Sequence, residues 1–285
     1  MPIDQDHCRD VFKKLTRELS KVTRHSTPER VHKYRTSARR VETVLEELVP
    51  RPDRNIRKLL KLVRRQRKKA GKVRDLDVHI SALRNLKIAR GAKEKSQLLR
   101  ALLAERVKRE KKLSAGLDKA HVQELRQRLK RASKEMQIPR GLEPSSVALE
   151  EFSELARKYP TFTQKTLHQY RIMGKRARYL LEMASRTPQE ESLMKQFEKM
   201  QDLVGDWHDW LTLTERAERL FGGVKDSPLV AATRNLTRAK FREATGAASE
   251  TKSLLSQLRP GFGIQKSAAL RKLSATAQHP AQVAA

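Results

Sequence analysis

Apolar residues recur at spacings of three and four along almost the whole chain, and no stretch alternates as a half-buried strand would. Val11, Leu15, Leu19 and Val22 predict the inner face of a first helix from about Asp6 to Arg24. Thr27-Pro28-Glu29 is a start signal, with Thr27 as N-cap and Pro28 in the first helical position, where a missing N–H costs nothing. The second helix then runs to Leu48 and ends at Val49-Pro50-Arg51-Pro52. Ile56, Leu59, Leu60 and Val63 face inward on a third, expected from about Asp53 to Lys69. A break is expected at Gly71, then a fourth helix from Asp75 to Leu86 with Asp75 or Asp77 as its cap. Further helical segments are a long one after Gly91, then His121 to Met136, Val147 to Arg157, Thr163 to Ser185, Thr187 to Gly205, Asp209 to Leu220 and Ser227 to Leu258. The pattern predicts an all-α fold. Residues 138–146, which combine Pro, Gly and Ser, read as a linker between an N-terminal half (1–137) and a C-terminal half (147–258). Residues 259–285, rich in Ala with Pro and Gly, read as a flexible tail.

Two segments match across these halves. VHKYRTSARRVETVLEEL (31–48) aligns without a gap on LHQYRIMGKRARYLLEMA (167–184), an offset of 136. The shared apolar register is Val31, Tyr34, Ala38, Val41, Leu45 and Leu48 against Leu167, Tyr170, Gly174, Ala177, Leu181 and Ala184. Downstream, GKVRDLDVHI (71–80) aligns on GDWHDWLTLT (205–214), an offset of 134. Two matched pairs in the same order predict duplicated helical halves.

Charge changes the picture from a generic helical protein to one with a polyanionic partner. The 285 residues carry 63 Lys and Arg against 33 Asp and Glu, a formal net charge of +30. Such an excess repels itself, and DNA, RNA, anionic lipid or an inorganic phosphate polymer would relieve it. Residues 1–140 hold 41 basic and 17 acidic residues (net +24), leaving 22 and 16 (net +6) in the remainder. Cys8 is the only cysteine, which excludes disulfide frameworks and cysteine-rich zinc sites. The N-terminus lacks the apolar core of a signal peptide and no long apolar run exists, so cytoplasmic residence is expected.

The basic residues form rows. His32, Arg35 and Arg39 stand at i, i+3 and i+7 on one helical face, flanking the apolar one, and His168, Arg171, Lys175 and Arg178 repeat the row. Arg40 falls outside it. Between Asp53 and Asp75 there are eleven basic residues and no acid, with Arg57, Lys61, Arg64, Lys68 and Lys72 close to one line. No i,i+4 partners of opposite sign are present there, so the row reads as an anion-binding stripe. Arg106, Lys108, Arg109 and Lys112 add a weaker cluster, partly answered by Glu105 and Glu110, and Arg234, Arg238 and Arg242 add another. A lone histidine beside an apolar face is ordinarily a packed residue. Two histidines sharing a repeat position and an Arg three residues on read instead as ligand contacts, donating N–H to phosphate oxygen.

Catalytic constellations are weak by comparison. Arg74-Asp75-Leu76-Asp77-Val78-His79 has a superficial likeness to a kinase catalytic loop, but the downstream Asn and a glycine-rich phosphate loop are missing. Asp77 and His79, or Asp206, His208 and Asp209, are mixed clusters better explained by capping than by metal binding. No nucleophile–base arrangement stands out. The expectation is a non-enzymatic binding protein with no cofactor and no metal.

The paired His32–Arg35–Arg39 and His168–Arg171–Lys175 segments, followed by Gly71-Lys72-Val73-Arg74-Asp75-Leu76-Asp77 and Gly205-Asp206-Trp207-His208-Asp209, give the chain a family likeness. It resembles the CHAD (conserved histidine α-helical domain) family over about residues 6–258. The resemblance implies two helical-bundle halves related by a pseudo-twofold axis around a basic channel or cleft. It further implies binding of inorganic polyphosphate and association with polyphosphate granules, with no cofactor. The site implied comprises His32, Arg35, Arg39, His168, Arg171, Lys175 and Arg178, extended by Arg57, Lys61, Arg64, Lys68 and Lys72; from their charge alone, Arg106, Arg109, Arg234 and Arg238 are added as weaker candidates. The second copy departs from the first: Lys175 replaces an arginine fork by a point charge, and His208 stands where Arg74 does. The alternatives are a nucleic-acid-binding basic helical protein, from the charge, and an accessory subunit of a polyphosphate-metabolising enzyme. Few aromatic residues accompany the basic rows, which removes a stacking platform for single-stranded nucleic acid.

Overall fold

A computed structural model describes residues 5–49, 51–136, 144–183, 187–223 and 226–258. These residues form helices and contain no strand: α1 (Gln5–Arg24), α2 (Pro28–Glu47), α3 (Arg54–Asn85), α4 (Ala92–Ser114), α5 (Lys119–Glu135), α6 (Pro144–Lys158), α7 (Gln164–Leu181), α8 (Pro188–Phe221) and α9 (Pro228–Leu258). The expected linker from 138 and the expected tail from 259 fall largely or wholly outside the described residues.

Local chemistry sets the helix starts. The Thr27 hydroxyl accepts from the Arg30 N–H with Pro28 opening α2, and Asp53 accepts from the Ile56 N–H at 2.6 Å to begin α3. Thr163 and Thr166 form a reciprocal capping box at the start of α7. Gly91 enters α4 in the left-handed region at φ 90°, a conformation that favours glycine.

The structure corrects the expected breaks at Gly71 and Gly205. Both glycines lie inside unbroken helices, α3 and α8, of 32 and 34 residues. A single glycine weakens a helix by only about 1 kcal/mol, which the flanking buried turns override. Asp75 is therefore a mid-helix side chain and no cap. Asp77 is likewise inside α3, buried and bonded to Arg106 at 2.7 Å.

The matched apolar register is buried in both copies: Val31, Tyr34, Ala38, Val41 and Leu45 of α2, and Leu167, Tyr170, Gly174, Ala177 and Leu181 of α7. Consecutive helices pack as α1 on α2, α2 on α3 and α3 on α4, and as α6 on α7, α7 on α8 and α8 on α9. The helices carrying the matched segments also meet across the halves, α2 on α7 and α3 on α8. One apolar core runs through both halves, from Phe12 and Leu15 of α1 to Phe152, Phe197 and Trp207 of α6 and α8. A second, smaller core joins the C-terminal ends of α3 and α8 to α4 and α9 through Leu83, Leu102, Leu213 and Phe221.

Candidate functional site

Where α2 meets α7 and α3 meets α8, both copies of both matched segments contribute charged side chains. α2 supplies His32 and Arg35, α7 supplies His168, Arg171 and Lys175, α3 supplies Arg74 and Asp75, and α8 supplies His208 and Asp209. Gly71 of α3 faces Arg35 of α2: a β-carbon there would lie 3.5 Å from Arg35 Nε, an ordinary contact.

The mutual fields show how tightly these groups are gathered. Burial first, then the charges of Arg171 and Arg35, push the Lys175 ammonium down to about 7, against partial relief from Asp209 and Asp75. Burial likewise lowers Arg171, with Arg35 adding to the effect and Asp209 opposing it. His32, though exposed at one edge, is depressed by desolvation and then by Arg74, Arg35, Arg40 and Lys175. His168 is depressed by burial, by His208 and by Arg171 and Lys175. Its ring stacks on His208 with centroids 5.4 Å apart. Asp75 keeps an exposed edge, but desolvation by the packed helices pushes its carboxyl up despite Arg35, with Asp209 adding repulsion. Burial would raise Asp209 too, but His208 and Arg171 outweigh it and hold that carboxyl low.

Two equivalent atoms lack partners. Arg35 and Arg171 occupy the same repeat position, and the Nε of each is shut off from solvent with no hydrogen-bond partner among the described residues; the Nε atoms of Arg176 and Arg178 are in the same condition, but those guanidinium groups pair with carboxylates through their other nitrogens. A buried donor left unpaired is costly, more so on a charged group. With Lys175 drawn towards its neutral state by both of them, the cluster is an arrangement that an anion would stabilise.

The other candidates from the sequence are placed elsewhere. Arg39 bonds the fully buried Glu42 at 3.2 Å, and Arg67 bonds the same carboxylate at 2.7 and 2.8 Å. Arg64 is paired with Glu46. Arg178 lies between Glu182 and Glu198, at 3.5 and 3.4 Å, and over the Tyr179 ring. Arg106 spends its whole guanidinium on Asp77, Glu110 and the Ser26 carbonyl, at 2.7, 2.6 and 2.9 Å. Arg109 bonds Glu105, which also accepts from Arg216 at 2.6 Å. Arg234 bonds Glu218, and Arg238 is exposed on α9. Arg57, Lys61, Lys68 and Lys72 are exposed along α3.

The cluster thus joins His32, Arg35, His168, Arg171 and Lys175 from the two rows. It also includes Arg74, Asp75, His208 and Asp209, which were not among the sequence candidates. The signal for them was present in the repeat: Arg74-Asp75 aligns on His208-Asp209. Reading the aspartates as caps concealed it.

With this geometry in view, comparison with known proteins is informative. The CHAD domain family model matches residues 7–218. Among solved structures, PptA from Streptomyces chartreusis superposes with a TM-score of 0.63 at 13% identity, covering 90% of this chain and 100% of that one. The CHAD domain from the plant Ricinus communis superposes with a TM-score of 0.60 at 16% identity, covering 95% and 90%. At these identities the two structures speak to the fold. No curated protein matches the sequence.

Proposed function

The chain belongs to the CHAD-domain family, and from that premise we propose that it binds inorganic polyphosphate, without chemical conversion, at the cluster where α2 meets α7. The observation that carries the reading is the pair of unpartnered Nε atoms on Arg35 and Arg171, with Lys175 beside them. Guanidinium forks fit phosphate oxygens in bidentate fashion, and Lys175 adds a proton-dependent point charge. Neutral His32 and His168 have N–H groups to donate. Asp75 and Asp209 counter part of the cationic field. Binding of this kind would hold the chain on polyphosphate deposits.

A linear phosphate chain suits the cluster better than nucleic acid because Tyr34, Tyr170 and Trp207 of these helices are buried in the core and Trp210 packs against the second core. Base stacking would need such rings exposed. No helix among the described residues is long and apolar enough to cross a membrane.

Competition at fixed ionic strength tests the reading. Long-chain polyphosphate should displace labelled duplex DNA and RNA at comparable phosphate concentration. The combined variant Arg35→Gln, Arg171→Gln, Lys175→Gln should bind polyphosphate at least about tenfold more weakly with unchanged helicity, given charge-assisted contacts of more than 1.4 kcal/mol in total. Failure of polyphosphate to compete, or full binding by the variant, overturns the proposal.

A further inference from the structure

Four large apolar side chains are exposed among the described residues, and two of them, Leu103 and Val107, stand one turn apart on α4 at 37% and 50% exposure. Arg100, Leu103, Val107 and Lys111 follow one another at spacings of three, four and four, so they share one helical face, with exposed Ala104 beside the apolar pair. α4 itself buries Leu98, Leu102 and Leu113, on the side that packs on α3 and α8. By contrast α9, which follows α8 as α4 follows α3, packs on α6, α7 and α8 and buries residues from Leu229 to Leu255. The outer face of α4 is thus an uncovered one.

The charge around the apolar pair has one sign. Each acid of α4 is held by a partner: Glu94 accepts from Ser227 Oγ and the Leu229 N–H, Glu105 from Arg109 and Arg216, and Glu110 from Arg106. Arg100, Lys108, Lys111 and Lys112 are exposed, with no ion pair or side-chain hydrogen bond among the described residues. On the other flank, Arg106 and Glu110 stand three residues on from Leu103 and Val107 and form one wall of a groove of about 580 Å³. The α1–α2 turn, with Arg24, His25 and Ser26, forms the opposite wall.

We infer that this face of α4 docks an acidic amphipathic helix of a partner protein. Covering Leu103 and Val107 takes apolar side chains, which a phosphate polymer does not supply. Arg100 and Lys111 bracket the pair one turn to either side, so the cover needs a carboxylate beyond each of its ends. A helix laid along α4 carries both features on one face. A second copy of this chain would set cations against these cations. A flat lipid surface would cover the apolar pair and leave the groove beside it unfilled. The inference stands apart from the polyphosphate reading, since none of these residues belongs to the α2–α7 cluster.

The test is fluorescence anisotropy on the full chain with a labelled alanine-based peptide of about 20 residues, long enough to hold its helix. The peptide carries leucines at i and i+4 and glutamates one turn to either side. A lysine version of it, phosphatidylglycerol vesicles and long-chain polyphosphate are the comparisons. The parent should bind the glutamate peptide and not the lysine one. Leu103→Ser with Val107→Ser should weaken that binding about tenfold or more, because the apolar cover is lost while every charge stays. Arg100→Gln with Lys111→Gln should weaken it about as much and flatten its salt dependence. Both variants replace exposed side chains, so their circular dichroism should match the parent, and the serine variant should hold polyphosphate as the parent does. Absence of binding to the glutamate peptide overturns the inference. So does equal binding by the parent and the serine variant, which would mean diffuse attraction. Vesicle binding that exceeds peptide binding and is lost in the serine variant would make the face a lipid surface. Self-association in sedimentation that the serine variant abolishes would make it a contact between copies, and either result also overturns the inference.

Discussion

Arg40 of α2 donates to both carboxylate oxygens of Glu182, at 2.5 and 3.1 Å, across 142 residues of sequence. Its repeat counterpart, Arg176 of α7, reaches back to Glu47 at the end of α2 and to Glu151 of α6 at 2.9 Å. Each copy of the repeated helix thus sends the same arginine to the last turn of the other. These crossed pairs flank the α2–α7 contact, so they bear on how precisely Arg35 and Arg171 face one another.

Removing Arg40 leaves a largely buried carboxylate whose one remaining cationic partner among the described residues is Arg178, at 3.5 Å. Arg40→Ala should therefore cost about 2–3 kcal/mol, near the low end for a broken buried pair because both partners keep some solvent. A double-mutant cycle with Glu182→Ala, read by chemical denaturation, should show coupling of about 1 kcal/mol or more. Strict additivity would show that the pair is not a tie between the halves.

Glu151 gives the same junction a pH response. Burial, opposed by Arg176, raises its carboxyl to about 7 from the usual 4.5. The folded chain then holds a proton that the unfolded chain has lost, so this group's contribution falls as pH rises from about 4.5 through 7. Glu151→Gln should flatten that part of the stability profile in urea titrations across pH.

Lys175 acts in the opposite window. Its folded value of about 7 lies below the ordinary 10.5, so the unfolded chain binds more protons and stability should rise with pH between them. Anion binding favours the charged ammonium, so polyphosphate affinity should rise as pH falls through about 7, with proton uptake measurable by calorimetry in buffers of different ionisation enthalpy. Lys175→Gln should remove the uptake, and Lys175→Arg should keep binding while abolishing the pH dependence, since guanidinium stays charged.

Gly71 and Gly174 should respond differently to alanine. At Gly71 the added methyl makes ordinary contact with Arg35, so Gly71→Ala should stabilise α3 by up to about 1 kcal/mol and leave binding intact. At Gly174 a β-carbon would lie 2.4 Å from Met200 Cε, so that flexible side chain must move and the helical gain is offset. Thermal melts of the two variants measure the difference.

Arg106 should behave as a strut. Asp77 beneath it has 3% of its side chain exposed, so Arg106→Ala should cost about 3 kcal/mol and leave tripolyphosphate affinity unchanged in the folded fraction.

The sequence by itself determined the helical class, the helix starts at Thr27, Asp53 and Thr163, and the inward faces of α1, α2, α3 and α7. Each depends on residues within a few turns, through capping chemistry and apolar spacing. It also contained the repeat, which pointed to His32, Arg35, His168, Arg171 and Lys175. Whether Gly71 and Gly205 end their helices was not a local matter, because packing on both sides outweighs the small cost of one glycine. Tertiary structure alone decided which cations have partners. Arg64 and Arg106 look as available as Arg35 in the sequence, yet Glu46 and Asp77 meet them only once helices dock, whereas Arg39 meets Glu42 one turn on in its own helix. Asp75 and Asp209 likewise become part of the cluster only when α3 crosses α8. A charge in a sequence has a sign, but its free energy depends on the burial and the neighbours that folding supplies.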